Sequence, residues 1–425
     1  MMPNGLWVVH QEMSAPPVAI TLHSKGGSGV ENTDEIGLAH FVEHMAFKGS
    51  DKYPDENLIS EMIEQEGAQT NAFTSHDRVC FYIHTQTNIE LMFGILANAV
   101  LHPLFREKDI EVERGAILQE IADGMDSPDN MIAKLFGEMI WGKHSYGGDI
   151  TGTKEQVASL GRDSFLNYYA KYFTPRNLVL SVAGGIKAAK VFDLAFQYFG
   201  DNVKVAGERA KMPEIDYSYK PPDRISLLHK DFEQVKCCLG VLPREWIAYN
   251  KEHEKERIAT GLLAIILGGG MSSRLFRTIR AQRGLVYYIM AGLSVFENGG
   301  DFWIDFGAEP TNFPRVISLI FDELDNLLKN GVSENELAKV KNCQKMNYAI
   351  GQESSLRSAL IGGDAELKGL DLQTPEEYFK SHIDPISISD VMDIAKRLLP
   401  KENFYLAAMG KVENHSKELE DLFGA

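Results

Sequence analysis

The sequence predicts an α+β protein built from two related domains, each an antiparallel-rich sheet flanked by helices. Its 425 residues are enough for two to three domains of ordinary size. Three pairs of segments resemble each other at one offset of about 225 positions, which indicates a duplicated unit. Strand-like runs come early and close together before longer helical patterns, an order that favours α+β over strict βαβ alternation.

The first half supplies the clearest elements. Runs rich in β-branched and aromatic residues, LWVVH at 6–10, AITLHS at 19–24 and VCFYIHT at 79–85, predict strands because such side chains favour extended backbone. Longer segments at 88–101 and 187–199 have the apolar spacing that is typical of helices.

The repeated segments place the domain boundary near the middle of the chain. Residues 174–187 and 399–411 both contain a proline, a polar pair, an apolar strand-like run and a glycine. The other two pairs are 106–118 with 332–344 and 37–50 with 261–274. A polar stretch that ends in two prolines lies between the halves and indicates a linker. We therefore expect an N-terminal domain at 1–205, a linker at 206–223 and a C-terminal domain at 224–425.

Composition excludes several classes of partner. The chain has 43 Lys and Arg against 60 Asp and Glu, and its net charge of −17 repels a nucleic-acid backbone. Its longest near-apolar run, 261–271, is far shorter than the roughly 20 residues that a membrane-spanning helix needs. Because the N-terminus has no signal or transit pattern, we expect a bacterial-type cytoplasmic protein with no membrane partner. The cysteines lack disulfide spacing, so we expect buried thiols at Cys80, Cys237, Cys238 and Cys343.

The sharpest chemical signal is an H-x-x-E-H motif formed by His40, Glu43 and His44. Polar residues at 32–34 offer N-caps and Gly49 offers a stop, which predicts a helix of about four turns. Residues at i and i+4 share a helix face, so both imidazoles can bind one ion while Glu43 stays beside it. Two imidazoles and one carboxylate suit Zn²⁺ and leave a position for water. The motif therefore predicts a catalytic zinc site that needs a third ligand from elsewhere.

A second helical segment, 107–125, supplies carboxylates for that third position. Glu113 and Glu120 lie seven residues apart, which is two helical turns to within about 20°. They share a stripe with the apolar Ala116 and Ile117, so this stripe is not a wholly solvated face. From spacing alone, either carboxylate could be the ligand, and each could also be an ordinary surface group.

The sequence around these residues resembles the M16 metallopeptidases, the pitrilysin and mitochondrial-processing-peptidase family, called inverzincins for their H-x-x-E-H order. The resemblance covers nearly the whole chain and is carried by GLAHFVEHMAFKGS (37–50), GAQTNAFTSHDRVCFY (67–82), ERGAILQEI (113–121) and GGGMSSRLF (268–276). It implies an M16 or LuxS-like metallohydrolase fold in a short, two-domain M16B-type chain. It also implies one Zn²⁺ per chain, bound by His40, His44 and Glu120. Glu43 would be the general base, and Glu113 a second carboxylate near the site.

The resemblance assigns roles outside the motif as well. In the family, an Arg and a Tyr of the domain without metal reach the substrate, and the spacing in 279–287 nominates Arg280 and Tyr287. The second half has LLAIILGGG at the position of the motif, which cannot bind a metal. The stretch 69–75 resembles the edge strand that pairs with an extended substrate. Its implied substrate-binding residues are Asn71, Ala72, Phe73 and Thr74.

These observations predict a zinc-dependent endopeptidase that hydrolyses extended, unfolded peptides, and the resemblance implies that it works inside the chamber of a dimer. The dimer would be a homodimer, or a heterodimer with a metal-free M16-like chain. Two alternatives stay open. One is a non-catalytic M16-like structural subunit, for which a decayed motif is expected. The other is the presequence-processing subunit of a heterodimer, which the Gly-rich segment 268–276 suggests.

Overall fold

The computed structural model describes residues 1–200 and 208–424. These residues form ten strands and fifteen α-helices, together with short 3₁₀ and π-helical turns. The strands are β1 (Trp7–Glu12), β2 (Val18–Ser24), β3 (Gln69–Thr74), β4 (Val79–Thr85), β5 (Leu178–Gly184), β6 (Ile225–His229), β7 (Val235–Val241), β8 (Val286–Val295), β9 (Gly300–Ala308) and β10 (Phe404–Gly410).

The helices are named in chain order. They are α1 (Leu38–Met45), α2 (Glu56–Gln65), α3 (Ile89–Leu101), α4 (Glu107–Asp126), α5 (Pro128–Trp141), α6 (Lys154–Ser159), α7 (Arg162–Tyr172), α8 (Ala188–Phe199), α9 (Glu254–Gly268), α10 (Phe313–Asn330), α11 (Glu334–Gly351), α12 (Ser355–Leu367), α13 (Pro375–Tyr378), α14 (Ile388–Leu398) and α15 (Ser416–Phe423).

Each half of the chain contributes one five-stranded sheet, and the two sheets have the same topology. The strand orders are β1-β5-β2-β4-β3 and β6-β10-β7-β9-β8. In each sheet the first-named pair is parallel, and the strands after it pair antiparallel. The antiparallel-rich α+β fold with two related domains is therefore confirmed, and the shared strand order fits the duplication inferred from the repeated segments.

The chain packs into two compact units that are not continuous in sequence. Unit 1 comprises Met1–Asp123, Asp149–Pro213 and Tyr348–Leu372. Unit 2 comprises Gly124–Gly148, Glu214–Asn347 and Gln373–Ala425. Compared with the expected division at 1–205 and 224–425, each unit thus contains a helical segment from the other half of the sequence.

Helix α12 comes from the second half of the sequence but belongs to unit 1, where it packs against β1, β2 and β5. Ala359 of this helix lies in one apolar cluster with Ala19 of β2 and Ala183 of β5. Gly363 allows close approach, since a Cβ at this position would lie 2.2 Å from Nε2 of His23. Every residue of β2 is buried, which shows that the centre of this sheet is covered on both faces.

Helix α5 comes from the first half of the sequence but belongs to unit 2, where it packs against β7 and β10. A Cβ on Gly240 of β7 would lie 2.6 Å from the ring of Phe136 on α5. The Phe136 ring therefore occupies the space that a side chain at position 240 would need. At the end of α5 the Trp141 indole N–H donates to buried Asp301 of β9 at 3.0 Å. This hydrogen bond fixes the helix end on the sheet.

The expected linker, 206–223, lies partly outside the described residues. Residues 206 and 207, like 201–205 at the end of the expected first domain, are not described. Residues 208–223 carry neither helix nor strand in the structure.

The cysteine prediction is correct for three of four positions. Cys80, Cys237 and Cys238 are buried free thiols. Cys343 is also a free thiol but is exposed, because it lies on the solvent side of α11. In the part of the chain that the structure describes, no helix combines the length and the apolar character needed to cross a bilayer.

Candidate metal centre

The H-x-x-E-H motif lies on α1, which is shorter than the sequence predicts. The helix has eight residues, Leu38–Met45, and begins after Gly37, whose φ of 87° is left-handed. The prediction of four turns capped at 32–34 is therefore wrong. The carboxylate of Glu31 caps α1 instead, accepting the N–H groups of Gly37 (3.0 Å) and Ala39 (2.6 Å). Burial raises the pKa of Glu31 to about 8, although these backbone donors oppose the shift.

His40 and His44 converge with Glu120 of α4. His40 Nε2 lies 3.3 Å from His44 Nε2. Oε2 of Glu120 lies 3.6 Å from the first nitrogen and 3.7 Å from the second. Two nitrogen lone pairs and a carboxylate oxygen that face one another at these distances repel unless a proton or a cation lies between them. The described residues contain this one group of three His, Cys, Asp or Glu side chains that could hold a metal ion.

The donor set and its spacing fit zinc. Ligand atoms at 2.0–2.1 Å from a tetrahedral ion lie about 3.4 Å from one another, close to the three separations observed here. Burial and the nearby His44 ring lower the pKa of His40 to about 4, so this imidazole is neutral at pH 7, as metal binding requires. Nδ1 of His40 is buried and has no hydrogen-bond partner among the described residues, so packing holds this ring.

His44 is held differently, by a carboxylate. Oε2 of Glu113 lies 3.1 Å from Nδ1 of His44, and its Oε1 lies 2.7 Å from the Lys48 ammonium. Because an ionised carboxylate only accepts hydrogen bonds, this contact favours the tautomer with the proton on Nδ1 and leaves the Nε2 lone pair for a metal. Glu113 is 8% exposed, and Lys48 also pairs with Glu56 at 2.7 Å. The side chains of Glu113, Lys48 and Glu56 thus form a network behind the candidate ligand His44.

The expected base, Glu43, is half-buried on the same helix. Its Oε2 accepts a hydrogen bond from the Thr74 hydroxyl at 2.6 Å. Burial raises the pKa of Glu43, and the Thr74 and His44 contacts offset part of this shift. A carboxyl group with a raised pKa beside a candidate metal site is better suited than an ordinary carboxylate to accept and then release a proton.

Strand β3 is the edge of its sheet and contains the four residues expected to bind substrate. Ala72 and Thr74 pair with Phe81 and Val79 of β4, and side chains alternate between faces along a strand. Ala72 and Thr74 therefore share the face that carries α1, whereas Asn71 and Phe73 point to the other face. The Asn71 side chain accepts the Ala72 N–H at 2.8 Å. The exposed edge agrees with a strand that is open to pairing.

Arg280 and Tyr287 lie in unit 2. Arg280 belongs to the π-helical turn Phe276–Ala281, and its guanidinium lies 4.6 Å from the centre of the Phe276 ring and 5.7 Å from that of Tyr287. Tyr287, on the edge strand β8, is 76% exposed. These contacts show that the two nominated side chains are neighbours.

Two contributors, Glu31 and Lys48, were not found from the sequence, and the contact that Thr74 makes with Glu43 was also missed. Glu31 caps the metal helix from six residues before its N-cap, a spacing that no capping rule contains. Lys48 follows the helix and carries no pattern that would pair it with Glu113. Thr74 was predicted as part of the substrate strand, and its hydrogen bond to Glu43 could have been suspected only from alternation along β3.

Comparison with known proteins gives matches over almost the whole chain. Residues 7–154 match the family model of insulinase, peptidase family M16, and residues 159–343 match that of the peptidase M16 inactive domain. A Rickettsia felis protein named "uncharacterized zinc protease" is 31% identical over 93% of each chain. Bacillus subtilis YmxG, with the same description, is 28% identical over 97% of each chain.

Solved structures share the fold. A protease from Helicobacter pylori superposes with a TM-score of 0.84 at 22% identity, covering 96% of this chain and 98% of its own. A peptidase M16 inactive domain protein from Pseudomonas fluorescens gives a TM-score of 0.85 at 19% identity, over 96% of this chain and 97% of its own. With the two family models and the full-length relatives, these matches establish that the chain belongs to the M16 peptidase family.

Proposed function

We propose that this chain is a zinc-dependent endopeptidase that cleaves extended, unfolded peptides. The observation that carries the proposal is the convergence of His40 Nε2, His44 Nε2 and Glu120 Oε2, which all lie within 4.8 Å of one another. Three protein ligands are the number that catalytic zinc sites use, whereas structural sites use four. The relatives named as zinc proteases support the same class.

His40, His44 and Glu120 would hold the ion, one per chain, and bound zinc supplies Lewis acidity at this position. Glu43 would accept the proton of the attacking water. Its Oε2 accepts from Thr74, which leaves both lone pairs of Oε1 open to that proton. The protonated Glu43 would then donate to the leaving amine. Glu113 keeps the His44 ring in the orientation that metal binding needs.

Strand β3 would bind the substrate by strand addition. An edge strand has unpaired backbone groups that an extended peptide can use, and such pairing reads backbone more than side chains. The Asn71 oxygen now bonded to the Ala72 N–H would be replaced by a substrate carbonyl. We therefore expect loose sequence specificity and a requirement for unfolded substrate. Asn71, Ala72, Phe73 and Thr74 remain the proposed substrate strand.

We assign Arg280 and Tyr287 to substrate binding on the motif resemblance. Tyr287→Phe should raise KM or lower kcat of the peptidase without changing its zinc content. The exposed Tyr217, whose hydroxyl donates to the Asn298 carbonyl, serves as the control for loss of a tyrosine hydroxyl. Equal kinetics for Tyr287→Phe and the native chain would remove the assignment.

We also propose a homodimer in the cytoplasm, with a heterodimer as the alternative. Light scattering of the purified chain should give twice its mass of 47.5 kDa. A monomer mass would favour a missing, metal-free partner. Cell fractionation tests the location, which the free thiols support.

The test of the function uses the full chain and a quenched, unfolded peptide. We expect one zinc per chain, hydrolysis that a chelator stops and zinc restores, and cleavage between internal residues. Glu43→Gln should keep the zinc and lose turnover by at least about a hundredfold, because the base is gone while the ligands stay. Glu64→Gln, at an exposed position of α2, is the matched control.

The result also separates the alternatives. Zinc binding without turnover on any unfolded peptide would favour a non-catalytic M16-like subunit. Turnover that appears only after a partner chain is added would favour a heterodimeric presequence-processing subunit. Activity that survives Glu43→Gln would overturn the mechanism.

A further inference from the structure

The hydroxyl of Thr74 makes a contact that the proposed chemistry does not require but that joins two parts of the site. Thr74 is the last residue of β3, and its Oγ1 donates to Glu43 Oε2 at 2.6 Å. Among the described residues, the Thr74 hydroxyl is the one donor that is hydrogen-bonded to the Glu43 carboxylate. A hydrogen bond to a charged acceptor at this distance is among the stronger ones in proteins.

The position of Thr74 is fixed by its strand pairing and by the hairpin turn, and its side chain has few rotamers. It pairs with Val79 at the end of the β3–β4 hairpin, and its contact with Glu43 shows that its side chain lies on the face that carries α1. The hairpin turn beyond it is closed by the Ser75 N–H, which donates to the Arg78 carbonyl at 2.8 Å. Threonine is β-branched and has few χ1 choices, so its hydroxyl is held in one direction with little loss of entropy on bonding.

Glu43, by contrast, has a longer side chain with more rotamers, and it is half-buried. Without a partner, a carboxylate in that setting has no fixed direction, and a base displaced by about 1 Å loses much of its effect. The same strand that holds Thr74 is the one proposed to pair with substrate. A single residue thus ties the direction of the base to the strand on which the substrate lies.

We propose that Thr74 is a positioning residue, whose hydroxyl sets the orientation of Glu43 relative to a peptide paired with β3. This inference rests on the proposed peptidase function but concerns a different step. Thr74 acts through the base, so its loss should lower kcat and leave KM and zinc binding unchanged.

The test compares Thr74→Val, which keeps the shape and removes the hydroxyl, with Thr74→Ser, which keeps the hydroxyl. In the zinc-loaded enzyme we expect Thr74→Val to lower kcat about 10- to 100-fold with KM within about twofold. Thr74→Ser should retain kcat within about threefold. Thr87→Val removes a similar hydroxyl, one that donates to the Glu66 carbonyl, and should match the native enzyme.

Crystal structures of the native chain and of Thr74→Val give a readout that does not depend on activity. We expect one Glu43 conformer in the native chain, with Oε2 bonded to Thr74, and a displaced or divided carboxylate in Thr74→Val. If the native chain has no peptidase activity, the proposed function fails, and the position of Glu43 in these two structures still decides this inference.

Three outcomes would overturn it. An unchanged Glu43 position in Thr74→Val would show that the hydroxyl does not orient the base. A raised KM with an unchanged kcat would show that Thr74 contacts substrate instead. Equal losses in Thr74→Ser and Thr74→Val would show that its methyl packing matters rather than its hydroxyl.

Discussion

Replacing Glu113 with alanine tests how much of the proposed zinc affinity comes from a carboxylate outside the proposed ligand set. The native Glu113 places Oε2 3.1 Å from Nδ1 of His44 and is 8% exposed. Partners of this kind contribute about 10- to 100-fold in metal affinity, or about 1.4 to 2.7 kcal/mol. We expect a loss near the upper end, because no other described acceptor bonds to this nitrogen and the His44 ring would lose its fixed orientation.

Lys48, which pairs with Glu113, determines how much zinc affinity we expect Glu113→Gln to lose. In Glu113→Ala, Lys48 keeps its pairing with Glu56, so the loss of zinc affinity reports on His44 rather than on a stranded ammonium. In Glu113→Gln, an amide oxygen turned to His44 forces the amide NH₂ toward Lys48, where two donors face each other. We therefore expect Glu113→Gln to lose about tenfold in affinity, less than the alanine variant.

The assay is competition for zinc with a chromogenic chelator on the purified chain. Glu111→Ala on the same helix removes an exposed carboxylate that pairs with Arg114 and is the control. Zinc affinity of Glu113→Ala within about twofold of the native value would refute the assigned role of the carboxylate.

Three further predictions concern stability. Glu31→Ala should lower the free energy of unfolding of the metal-free chain by about 1 kcal/mol and weaken zinc binding, because α1 loses its cap. Tyr169→Phe should raise the melting temperature, because this buried hydroxyl has no partner among the described residues and leaving it unbonded costs about 1 kcal/mol or more. Burial raises the pKa of Asp301 to about 7, against hydrogen bonds from Trp141 and Ser294 that lower it. From the ordinary value of 3.8 up to about 7 the folded chain keeps a proton that the unfolded chain releases, so stability should fall as pH rises, by on the order of 4 kcal/mol. Asp301→Asn should flatten that slope, as followed by Trp fluorescence.

Each of these has a control. Glu61→Ala, on the exposed side of α2, should leave the metal-free chain unchanged. Tyr172→Phe should have the opposite sign to Tyr169→Phe, because the Tyr172 hydroxyl donates to the Val30 carbonyl at 2.8 Å. Asp325→Asn, at an exposed site on α10, should keep the native pH dependence. A melting temperature that falls in Tyr169→Phe, or a pH slope as steep in Asp301→Asn as in the native chain, would contradict the stated causes.

The convergence of His40 and His44 could be predicted because a helix brings i and i+4 onto one face whatever surrounds it. Glu120 and Glu113 needed the family resemblance to be told apart, since both lie on one stripe of α4. The start of α1 could not be predicted, because the cap is a side chain that folds back from Glu31 while the polar residues at 32–34 belong to the preceding loop. Local propensity reflects preferences of residues close in sequence, whereas this cap depends on the path of the loop between Glu31 and Gly37.

The segments that exchange between the units were also beyond local patterns. Helices α5 and α12 have apolar faces, but an apolar face does not specify which of two similar sheets it covers. The duplicated topology makes the ambiguity greater, because both sheets offer alike strand orders. The boundary expected near the linker falls between the two sheets, whereas the sheet that α5 or α12 covers is determined only by the folded structure.

This exchange has a consequence for how the protein is made. During synthesis, β1, β2 and β5 leave the ribosome long before α12, so one face of the first sheet stays bare until residues 355–367 have been added. A nascent chain that stalls near residue 300 would expose the apolar face of β1, β2 and β5. We expect chaperones to bind this face during translation and to dissociate when the α12 segment emerges. A gene split at the linker should yield two insoluble pieces that recover only when they are produced together.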